Sequence, residues 1–381
     1  MTTVGELLRW LDDFAPLATA DDWDNVGLLW GDPEATVHRV MTCLTVTPTT
    51  AREAIDARAE AIVSHHPVLF RAVKRVVAGE GDGRFLWPLA RAGVSVLSPH
   101  TAFDNTQDGI NDGLAARLSL RDVVPLRTKA APGAFKVVVF TPETDRDAVL
   151  SAAFAAGAGR IGAYSECSFS IPGTGTFFGL DGSNPTIGQA GRRESVAEHR
   201  IELVCPAGSL ARVLAAVRSA HSYEEPAIDV YPLHGSDERS GPGSGRVGTL
   251  ASPTTLGEFA RTVAATLNAP SIQFVGDPRR PVRRVAIICG AGDDFVSDAA
   301  RAGADVLLTG EARLNRGYEA EARGLGLVVA GHHQTERPGV EDLAQRIAQA
   351  FPGLTVWASR LEADPFRRID PESDAQERPI P

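Results

Sequence analysis

The chain opens with apolar residues at helical spacing, and this pattern predicts an amphipathic first helix. Thr3 and Glu6 stand at its start with the spacing of a capping box. We expect the apolar face of this helix to pack against a core. That face consists of Val4, Leu7, Leu8, Leu11 and Phe14.

Short apolar runs alternate with helical patterns before residue 128 and again after residue 241. Such alternation is typical of an α/β layer in which helices cover a sheet, and we interpret the two parts as halves of one α/β module. In the first part, strands are predicted at 40–46, 61–64 and 94–98, and helices at 49–59 and 85–92. In the later part, strands are predicted at 285–289, 305–309 and 327–330, and helices at 294–302 and behind Pro338.

The middle of the chain has the order strand, helix, Gly-rich stretch, strand, helix, strand, which is typical of a ferredoxin-like α+β unit. Segments 127–134 and 234–248, which contain Gly with Pro or Ser, predict flexible linkers on either side of it. The end of the chain is polar and Pro-rich, which predicts disorder. The predicted organisation is 1–128 and 241–364 for the two halves of the α/β metal-binding module, 129–240 for the inserted ferredoxin-like domain, and 365–381 for a flexible tail.

Composition narrows the class of protein. A length of 381 residues exceeds the ~100–200 residues of a typical domain, so two or three domains are expected. With 43% apolar and 23% charged residues, the chain has the balance of an ordinary globular protein rather than a disordered or fibrous one. Its net charge of −10 argues against a general nucleic-acid binder or a binder of anionic membranes.

The cysteines and the first residues bear on the cellular compartment. The 4 cysteines are too scattered for a metal knuckle or a small disulfide framework, so we expect reduced, buried thiols and a cytoplasmic protein. The first residues carry acids early and lack the apolar core of a secretory signal. No stretch of the sequence approaches the ~20 apolar residues that span a bilayer.

Histidines and carboxylates cluster in three short segments, each directly after a predicted strand. Taken singly, each segment has an ordinary alternative: a packed or surface histidine pair, an aspartate that caps a helix, or an acid favoured at a helix start. Together they hold five of the 9 histidines at strand ends, where open α/β sheets bind their ligands, so we predict one shared metal site. The residues of the three segments are His65 and His66; His100 and Asp104; and His332, His333 and Glu336.

The donor set of this predicted site is imidazole and carboxylate without thiolate. Such a set suits Zn²⁺, Mn²⁺, Fe²⁺, Co²⁺ or Ni²⁺ and does not choose among them. Five of these seven candidates would already exceed the ligands that one open zinc site needs, so two divalent ions are expected, with Glu336 as a possible bridge. His332 and Glu336 have the spacing of one helix face, but Pro338 suggests that the helix starts only after it and that they converge through a turn.

Three further motifs carry weaker signals. The motif ICGAGDDF, with Gly290 after a strand, imitates a nucleotide-binding turn but lacks its third glycine, so a tight turn is the favoured interpretation. Glu311 follows another strand and either lines the same cleft or caps a helix. His221, Glu224 and Glu225 of the motif HSYEEPAID are candidates for a separate metal site, although a turn between a helix and a strand is the favoured interpretation.

Five motifs spread along the chain point to a known family: DNVGLLWGD, VSHHPVLF, PHTAFDNTQDGINDGLA, GADVLLTGE and AGHHQTERPGV. With them the chain resembles the GTP cyclohydrolase I type 2 homologues, the NGG-interacting-factor-like family, over almost its whole length. Three motifs of the middle segment are GRIGAYSECSFSIPGTGTF, NPTIG and HSYEEPAIDVYPL. They resemble the insertion of the long members, whose CutA/PII-like fold is similar to small signalling and copper-tolerance proteins.

The resemblance implies a dinuclear metal site with Glu336 as the bridge, and a toroidal hexamer whose metal sites face an inner cavity. Two positions depart from the family pattern: Thr45 stands where many members have an aspartate, and Asn315 where many have a histidine. Neither is an implied ligand, so only the hydrogen bonds that orient the ligands are expected to differ. The implied ligands are His65, His66, Asp104, His332 and Glu336.

The leading hypothesis is a metal-dependent hydrolase that acts on a nucleotide or another small phosphorylated or heterocyclic compound, because divalent ions activate water and polarise electrophilic atoms. The family name implies opening of the GTP ring, although a fold does not fix a function. His100, His333 and Glu311 are candidates to move protons, and no catalytic residue is assigned. The alternative is a non-catalytic metal-binding or regulatory oligomer, since no Walker loop or catalytic triad motif accompanies the ligands.

Overall fold

The computed structural model describes residues 1–129, 134–162, 164–233 and 241–367. The chain divides into two compact units: the first unit is Met1–Thr128 together with the chain from Pro242 onward, and the second unit is Lys129–Gly241. Parts of the predicted linkers and most of the predicted tail, at 130–133, 234–240 and 368–381, lie outside the described residues. Within the described ranges, no helix is long and apolar enough to cross a membrane.

Helices and strands occur in both units and are numbered in chain order. The strands are β1 Gly27–Trp30, β2 Arg39–Cys43, β3 Ala61–Ser64, β4 Ser95–Ser98, β5 Arg121–Thr128, β6 Phe135–Pro142, β7 Ser168–Phe178, β8 Arg193–Cys205, β9 Ile228–Pro232, β10 Gly243–Thr255, β11 Gln273–Val275, β12 Pro281–Ile287, β13 Val306–Thr309, β14 Gly326–Val329 and β15 Thr355–Ala358. The helices are α1 Val4–Phe14, α2 Pro48–Asp56, α3 Gly83–Ala92, α4 His100–Asn105, α5 Ile110–Arg117, α6 Arg146–Ala155, α7 Leu210–Ala220, α8 Leu256–Thr266, α9 Val296–Arg301, α10 Leu314–Ala322 and α11 His332–Ala350. The predicted α/β class is confirmed as a mixed α/β fold with several sheets.

The first sheet of the first unit has the strand order β1-β4-β3-β2-β15. Its strands β15, β2, β3 and β4 are parallel, and β1 pairs antiparallel with β4 at the edge. All of β3 is buried, as expected for a parallel strand covered on both faces. Because parallel strands end at the same edge, the residues that follow β3 and β4 lie side by side.

The second sheet of the first unit has the strand order β11-β14-β13-β12-β10-β5. Strands β12, β13 and β14 are parallel, whereas β11, β10 and β5 pair antiparallel with their neighbours. The prediction of a flexible linker at 234–248 is wrong from Gly243 onward, since this Gly/Ser-rich segment begins β10 and pairs with strands on both sides. A Cβ at Gly243 would lie 2.5 Å from the carbonyl oxygen of Arg127, so close strand packing requires the small residue.

Strand β10 also carries a buried arginine. Arg246 is 2% exposed, and its guanidinium donates to both carboxylate oxygens of Asp112 at 2.7 Å. It donates as well to the carbonyl oxygen of Thr106 at 2.6 Å. These bonds, together with the pairing on both sides, hold a segment whose composition alone suggests flexibility.

Helix α11 links the two sheets of the first unit. It follows β14 of the second sheet and packs against β2 and β15 of the first. The prediction that this helix starts behind Pro338 is wrong, because α11 begins at His332 and continues through the proline. A proline inside a helix removes one N–H donor, but buried side chains such as Leu343 and Ile347 hold the helix against the core. His332 and Glu336 therefore lie one helical turn apart on the same face.

An apolar core shared by both sheets holds the first unit together. The predicted first helix is confirmed: Thr3 and Glu6 form the capping box, and Leu7 of the apolar face is fully buried. The same core contains Val63 of the first sheet and Ile287 of the second. Each fully buried side chain of this size stabilises the unit by about 1.5–3 kcal/mol relative to an exposed one.

The second unit has an antiparallel sheet of order β7-β8-β6-β9, and α6 and α7 contribute to its core. The predicted strands and helices are found, and the predicted Gly-rich stretch contains the further strand β7. That strand was not predicted because Pro172, Gly173 and Gly175 interrupt the short alternation of Phe169 and Ile171. Its Pro172 is tolerated because β7 is an edge strand that pairs with β8 alone.

Candidate metal centre

Side chains from both sheets of the first unit converge where parallel strands end. Two histidines follow β3, α4 follows β4, and α11 follows β14. This is the edge at which open α/β sheets bind their ligands. The converging side chains are His65, His66, His100, Asp104, His332 and Glu336.

Glu336 lies at the centre of this cluster, and its side chain is 5% exposed. Its Oε2 is 3.0 Å from Nε2 of His66 and 3.0 Å from Nε2 of His332. Its Oε1 is 3.8 Å from Nε2 of His65. One carboxylate thus faces imidazoles that come from both sheets, which is the arrangement that a bridging ligand requires.

His65 is 1% exposed, and neither of its ring nitrogens has a hydrogen-bond partner among the described residues. The nearest carboxylate oxygens, Oδ1 of Asp104 and Oε1 of Glu336, are 3.6 and 3.8 Å from its Nε2 and so lie beyond hydrogen-bond range. A buried polar group left without a partner costs about 1–3 kcal/mol. A divalent cation would satisfy the imidazole and both carboxylates together.

The charges of Glu336 and His332 depend on each other. Burial alone would raise the pKa of Glu336, but the positive charge of His65 and the hydrogen bonds with His332 and His66 hold it well below its usual value. Burial alone would lower the pKa of His332, but Glu336 and Glu311 outweigh burial and raise it to about 9. Protons on imidazoles therefore balance the buried carboxylate, and a cation that binds these nitrogens must displace protons.

The residues from the first sheet respond to the same charges. Burial raises the pKa of Asp104, and the charge of Glu336 adds to this effect while His65 opposes it. Burial acts to lower the pKa of His65, yet the charges of Asp104 and Glu336 raise it overall. The pKa of His66 falls, chiefly through burial and despite its hydrogen bond with Glu336. Neutral imidazole is the form of histidine that binds metal ions.

His100 has a buried partner that the sequence did not indicate. Its Nδ1 is 2.7 Å from Oδ1 of Asp24, whose side chain is 0% exposed and also accepts hydrogen bonds from the backbone and hydroxyl of Thr101. Burial would raise the pKa of Asp24, but His100 and Thr101 lower it to about 2. Asp24 occupies Nδ1, which leaves Nε2 of His100 for a ligand, as in the carboxylate–histidine pairs that orient metal ligands.

His100 stands close to the histidine doublet. Its ring centroid is 5.1 Å from that of His65 and 5.6 Å from that of His66. One ring nitrogen from each of these three histidines lies within 4.8 Å of the others. The backbone φ of His100 is +30°, a value that a residue other than glycine rarely adopts, so the surrounding contacts hold it in place.

Thr45, one of the two departures from the family pattern, holds His66. Its Oγ1 is 2.8 Å from Nδ1 of His66, and its backbone N–H donates to Glu362 at 2.8 Å. Glu362 also accepts from the backbone of Leu44 at 2.8 Å. A hydroxyl group therefore orients the His66 ring, with its Nε2 toward Glu336. The second departure, Asn315, is exposed near the start of α10.

The glycine turn after β12 makes room for the cluster. Gly290 has a φ of +61°, and a Cβ there would lie 2.1 Å from Oε1 of Glu336 and 3.1 Å from Nε2 of His332. Its carbonyl oxygen accepts hydrogen bonds from the backbones of Gly310 and Glu311, which follow β13. The motif ICGAGDDF forms the tight turn that was favoured, and its first glycine is required because ligand side chains pack against it.

A cavity of about 690 Å³ opens beside the cluster, a size typical of small-molecule sites. His332, His333 and the segment 361–367 contribute to its walls. Glu311 also lines it, with Oε1 3.0 Å from Nδ1 of His332. Because α10 begins at Leu314 with Arg313 as its cap, Glu311 belongs to the cleft rather than to a helix cap.

Cys289 contributes to the site although no role was predicted for it. Its thiol donates to Oδ1 of Asp104 at 3.2 Å, and burial followed by the charge of Asp104 raises the pKa of this thiol well above its usual value. The protonated thiol of Cys289 thus fixes one oxygen of Asp104.

The prediction that all the thiols are buried is wrong at Cys167, which is only half-buried.

His221 of the second unit is engaged by the fold itself. Its Nε2 is 2.9 Å from the carbonyl oxygen of Phe140, and its Nδ1 accepts the backbone N–H of Tyr223 at 3.0 Å. Both ring nitrogens are therefore used within a turn, which was the favoured interpretation of the motif HSYEEPAID.

The donors of the first unit fit a divalent cation. Ligand atoms of His66, His332 and Glu336 lie within 4.8 Å of one another, and the unpartnered His65 faces Asp104 and Glu336. All five sequence-predicted ligands are brought together. Asp24 and Cys289 are supporting residues that the sequence did not assign to the site, whereas Thr45 holds a ligand at a position where the resemblance implied a different hydrogen bond.

Comparison with known proteins points to the same family as the motifs. The Duf34/NIF3 (NGG1p interacting factor 3) family matches residues 2–365. A Halalkalibacterium halodurans protein called GTP cyclohydrolase 1 type 2 homolog is 36% identical over 366 residues, which are 95% of this chain and 98% of that protein. A Bacillus subtilis protein of the same name is 33% identical over 365 residues, which are 95% of this chain and 97% of that protein.

A solved structure agrees with these relatives. The crystal structure of a Bacillus cereus protein related to NIF3 is 34% identical, has a TM-score of 0.80, and covers 97% of this chain and 99% of its own. The resemblance that the motifs indicated is confirmed, and the chain belongs to the Duf34/NIF3 family.

Proposed function

We propose that the candidate metal centre binds two divalent ions and uses them to hydrolyse a nucleotide or another small phosphorylated or heterocyclic compound. The observation that carries this proposal is His65, which is buried, has no hydrogen-bond partner among the described residues, and faces two carboxylates at 3.6 and 3.8 Å. A fold seldom retains such a group unless a ligand satisfies it.

The proposed ligands fall into two sets that share one carboxylate. His65 and Asp104 would hold one ion with Glu336, and His66 and His332 would hold the other with the same Glu336. The distances of Glu336 to the imidazoles of both sheets support this division. The identity of the ions among Zn²⁺, Mn²⁺, Fe²⁺, Co²⁺ and Ni²⁺ is left open by this donor set.

The residues around the ligands have supporting tasks. Bound divalent ions supply Lewis acidity and bring the pKa of water toward neutrality. Thr45 and Asp24 fix the rings of His66 and His100 through their Nδ1 atoms. The cavity of about 690 Å³ offers room for a small substrate beside His332, and Arg367 in its wall offers a cation to a phosphate group.

Hydrolysis is tested by incubating the metal-loaded chain with GTP and a panel of nucleotides, beside an Asp104→Ala variant. The proposal expects turnover by the wild-type chain and a loss of at least about 100-fold in the variant, because a ligand is removed. Equal turnover in both would identify a contaminating activity. Two bound ions without turnover of any substrate would favour the alternative, a non-catalytic metal-binding or regulatory protein.

We also propose that the second unit is an inserted ferredoxin-like domain. The order β6, α6, β7, β8, α7, β9 and the strand order β7-β8-β6-β9 support this assignment. A toroidal homohexamer and a cytoplasmic location complete the proposal. Light scattering should then give six times the 40.4 kDa of one chain, and the mass of a monomer would contradict the ring.

A further inference from the structure

The second unit contains a cavity of its own, with a volume of about 470 Å³. Its walls come from β6, β7 and β8, from the segment 183–187, and from the segment 223–227 after the His221 turn. Residues of all three motifs that mark the middle of the chain therefore meet around one space. The volume lies in the range of small-molecule sites.

Aromatic rings form much of this wall. Phe140 of β6, Phe177 of β7 and Tyr223 all line the cavity, and Ile187 adds an aliphatic surface. A cation is already seen against one of these rings, since the guanidinium carbon of Arg200 lies 5.6 Å from the centroid of Phe140. Aromatic faces attract cations through the ring quadrupole, most strongly where water is excluded.

The charged residues of the wall all have the same sign. Glu198, Glu224 and Glu225 line the cavity, and among the described residues no lysine, arginine or histidine lines it. Arg200 does not supply the missing positive charge, because its guanidinium donates to Glu202 at 2.9 Å. An anionic ligand such as a phosphate would meet three carboxylates without a counter-charge.

Glu198 is held in a defined position. The hydroxyl of Tyr223 donates to its Oε1 at 2.9 Å, and a Cβ at Gly175 would lie 2.1 Å from its Oε2. Burial, followed by the hydrogen bond with Glu198, raises the pKa of Tyr223, so the hydroxyl keeps the proton that it donates. A half-buried carboxylate with a hydrogen-bond donor on one side and no cation in the wall is a ready partner for a ligand cation.

We propose that this cavity binds an organic ammonium ion that carries an apolar substituent. The charged nitrogen lies at Glu198, and the apolar part lies against Phe140 and Phe177. This site belongs to the second unit and does not depend on the metal centre. It gives the middle segment a ligand of its own.

Isothermal titration of the full-length chain tests the proposal with three probes of similar size. Benzyltrimethylammonium carries the cation, neopentylbenzene is its neutral carbon analogue, and phenylacetate is an anion. The ammonium probe should bind saturably with one site per chain. The neutral analogue should bind at least about tenfold more weakly, since it lacks the ionic and cation–π attraction. Phenylacetate should not bind.

Two variants locate the binding. Glu198→Gln keeps the shape and the hydrogen bond of Tyr223 but removes the charge, and should weaken the ammonium probe about tenfold. Asp229→Asn is the matched control, because it removes an exposed carboxylate of the same unit that does not line the cavity, and it should leave binding unchanged. Tyr223→Phe, which releases Glu198 while keeping the ring, should give an intermediate loss and serves if Glu198→Gln fails to fold.

Three results would overturn the proposal. Equal affinity for the ammonium probe and its neutral analogue would remove the role of charge. Equal affinity in the wild-type chain, Glu198→Gln and Tyr223→Phe, or an equal loss in Asp229→Asn, would place the probe elsewhere. No saturable binding at millimolar concentration of the ammonium probe would also refute it. An unchanged circular dichroism spectrum and an unchanged urea unfolding transition in each variant check that the chain is folded.

Discussion

Two buried histidines, one in each unit, have opposite surroundings. His221 uses both ring nitrogens, with the carbonyl oxygen of Phe140 at 2.9 Å and the backbone N–H of Tyr223 at 3.0 Å. His65 uses neither within the described residues, and two carboxylates stand within 3.8 Å of its Nε2. Because buried polar groups are nearly always paired, the difference separates a histidine that holds a turn from one that is available to a ligand.

Two carboxylates of the first unit, the half-buried Asp112 and the buried Glu336, repeat the contrast. Asp112 receives two hydrogen bonds of 2.7 Å from the guanidinium of Arg246, and a guanidinium has no lone pair to offer a metal ion. Glu336 instead faces three imidazoles, whose protons can be exchanged for a metal ion. The pair of Asp112 and Arg246 stabilises the fold, whereas Glu336 with its imidazoles is suited to bind an exchangeable metal ion.

Replacing the two carboxylates should separate metal binding from stability most strongly. Glu336→Ala removes the shared ligand, so metal content should fall from two ions per chain to near none while the chain stays folded. Asp112→Ala leaves the buried Arg246 without its partner and should cost about 3–5 kcal/mol of unfolding free energy while metal content is kept. Elemental analysis and urea unfolding measure the two effects. Loss of metal in both variants alike would remove the contrast.

Replacing His65 and His221 should separate metal binding from stability in the same way, with a smaller effect. His65→Ala should lose one ion, because it removes a ligand and breaks no hydrogen bond of the metal-free chain. His221→Ala should keep both ions and lower the free energy of unfolding by about 1–3 kcal/mol, since two backbone groups lose their partner. The account of His65 fails if its replacement leaves metal content intact.

Gly290 tests the close approach of backbone and ligands. Gly290→Ala would place a methyl group 2.1 Å from Oε1 of Glu336, so metal affinity should fall about 10- to 100-fold. Gly303 has a similar φ of +68° with nothing near its missing Cβ, so Gly303→Ala carries the backbone strain alone and should bind metal normally. Competition titration with a chelating dye gives both affinities. Equal losses would assign the effect to strain.

Thr45 should give the smallest change. Thr45→Val keeps the shape but removes the hydroxyl bonded to Nδ1 of His66, and metal affinity should fall about tenfold. Thr49→Val, at another wall residue of the same cavity, is the matched control and should leave the affinity unchanged. Unchanged affinity in Thr45→Val would show that His66 does not need this bond.

The sequence was sufficient to predict the convergence of the ligands but not the local geometry that achieves it. Histidines that follow apolar strands could be placed at the carboxyl ends of parallel strands, where open α/β sheets bind their ligands. The start of α11 was missed because Pro338 is unfavourable locally, whereas packing against the core decides the outcome. Strand β10 was missed because close packing selects small residues there, and these resemble a linker.

Asp24 is the first residue of the motif DNVGLLWGD, but its role could not be predicted, for a different reason. Its bond to His100 joins residues that lie far apart in the chain, and a single aspartate in a loop has no periodic pattern. The same holds for Cys289, whose bond to Asp104 depends on the approach of the two sheets. Partners that meet only through tertiary structure leave little local signal in one sequence.

The most direct test of the account is the metal stoichiometry of the wild-type chain and of Glu336→Ala, measured side by side by elemental analysis after reloading with Zn²⁺ and Mn²⁺ and removal of free ions. The account predicts close to two tightly held ions per wild-type chain and close to none in the variant. A wild-type chain that holds no ion, or a variant that holds as many as the wild type, would contradict it.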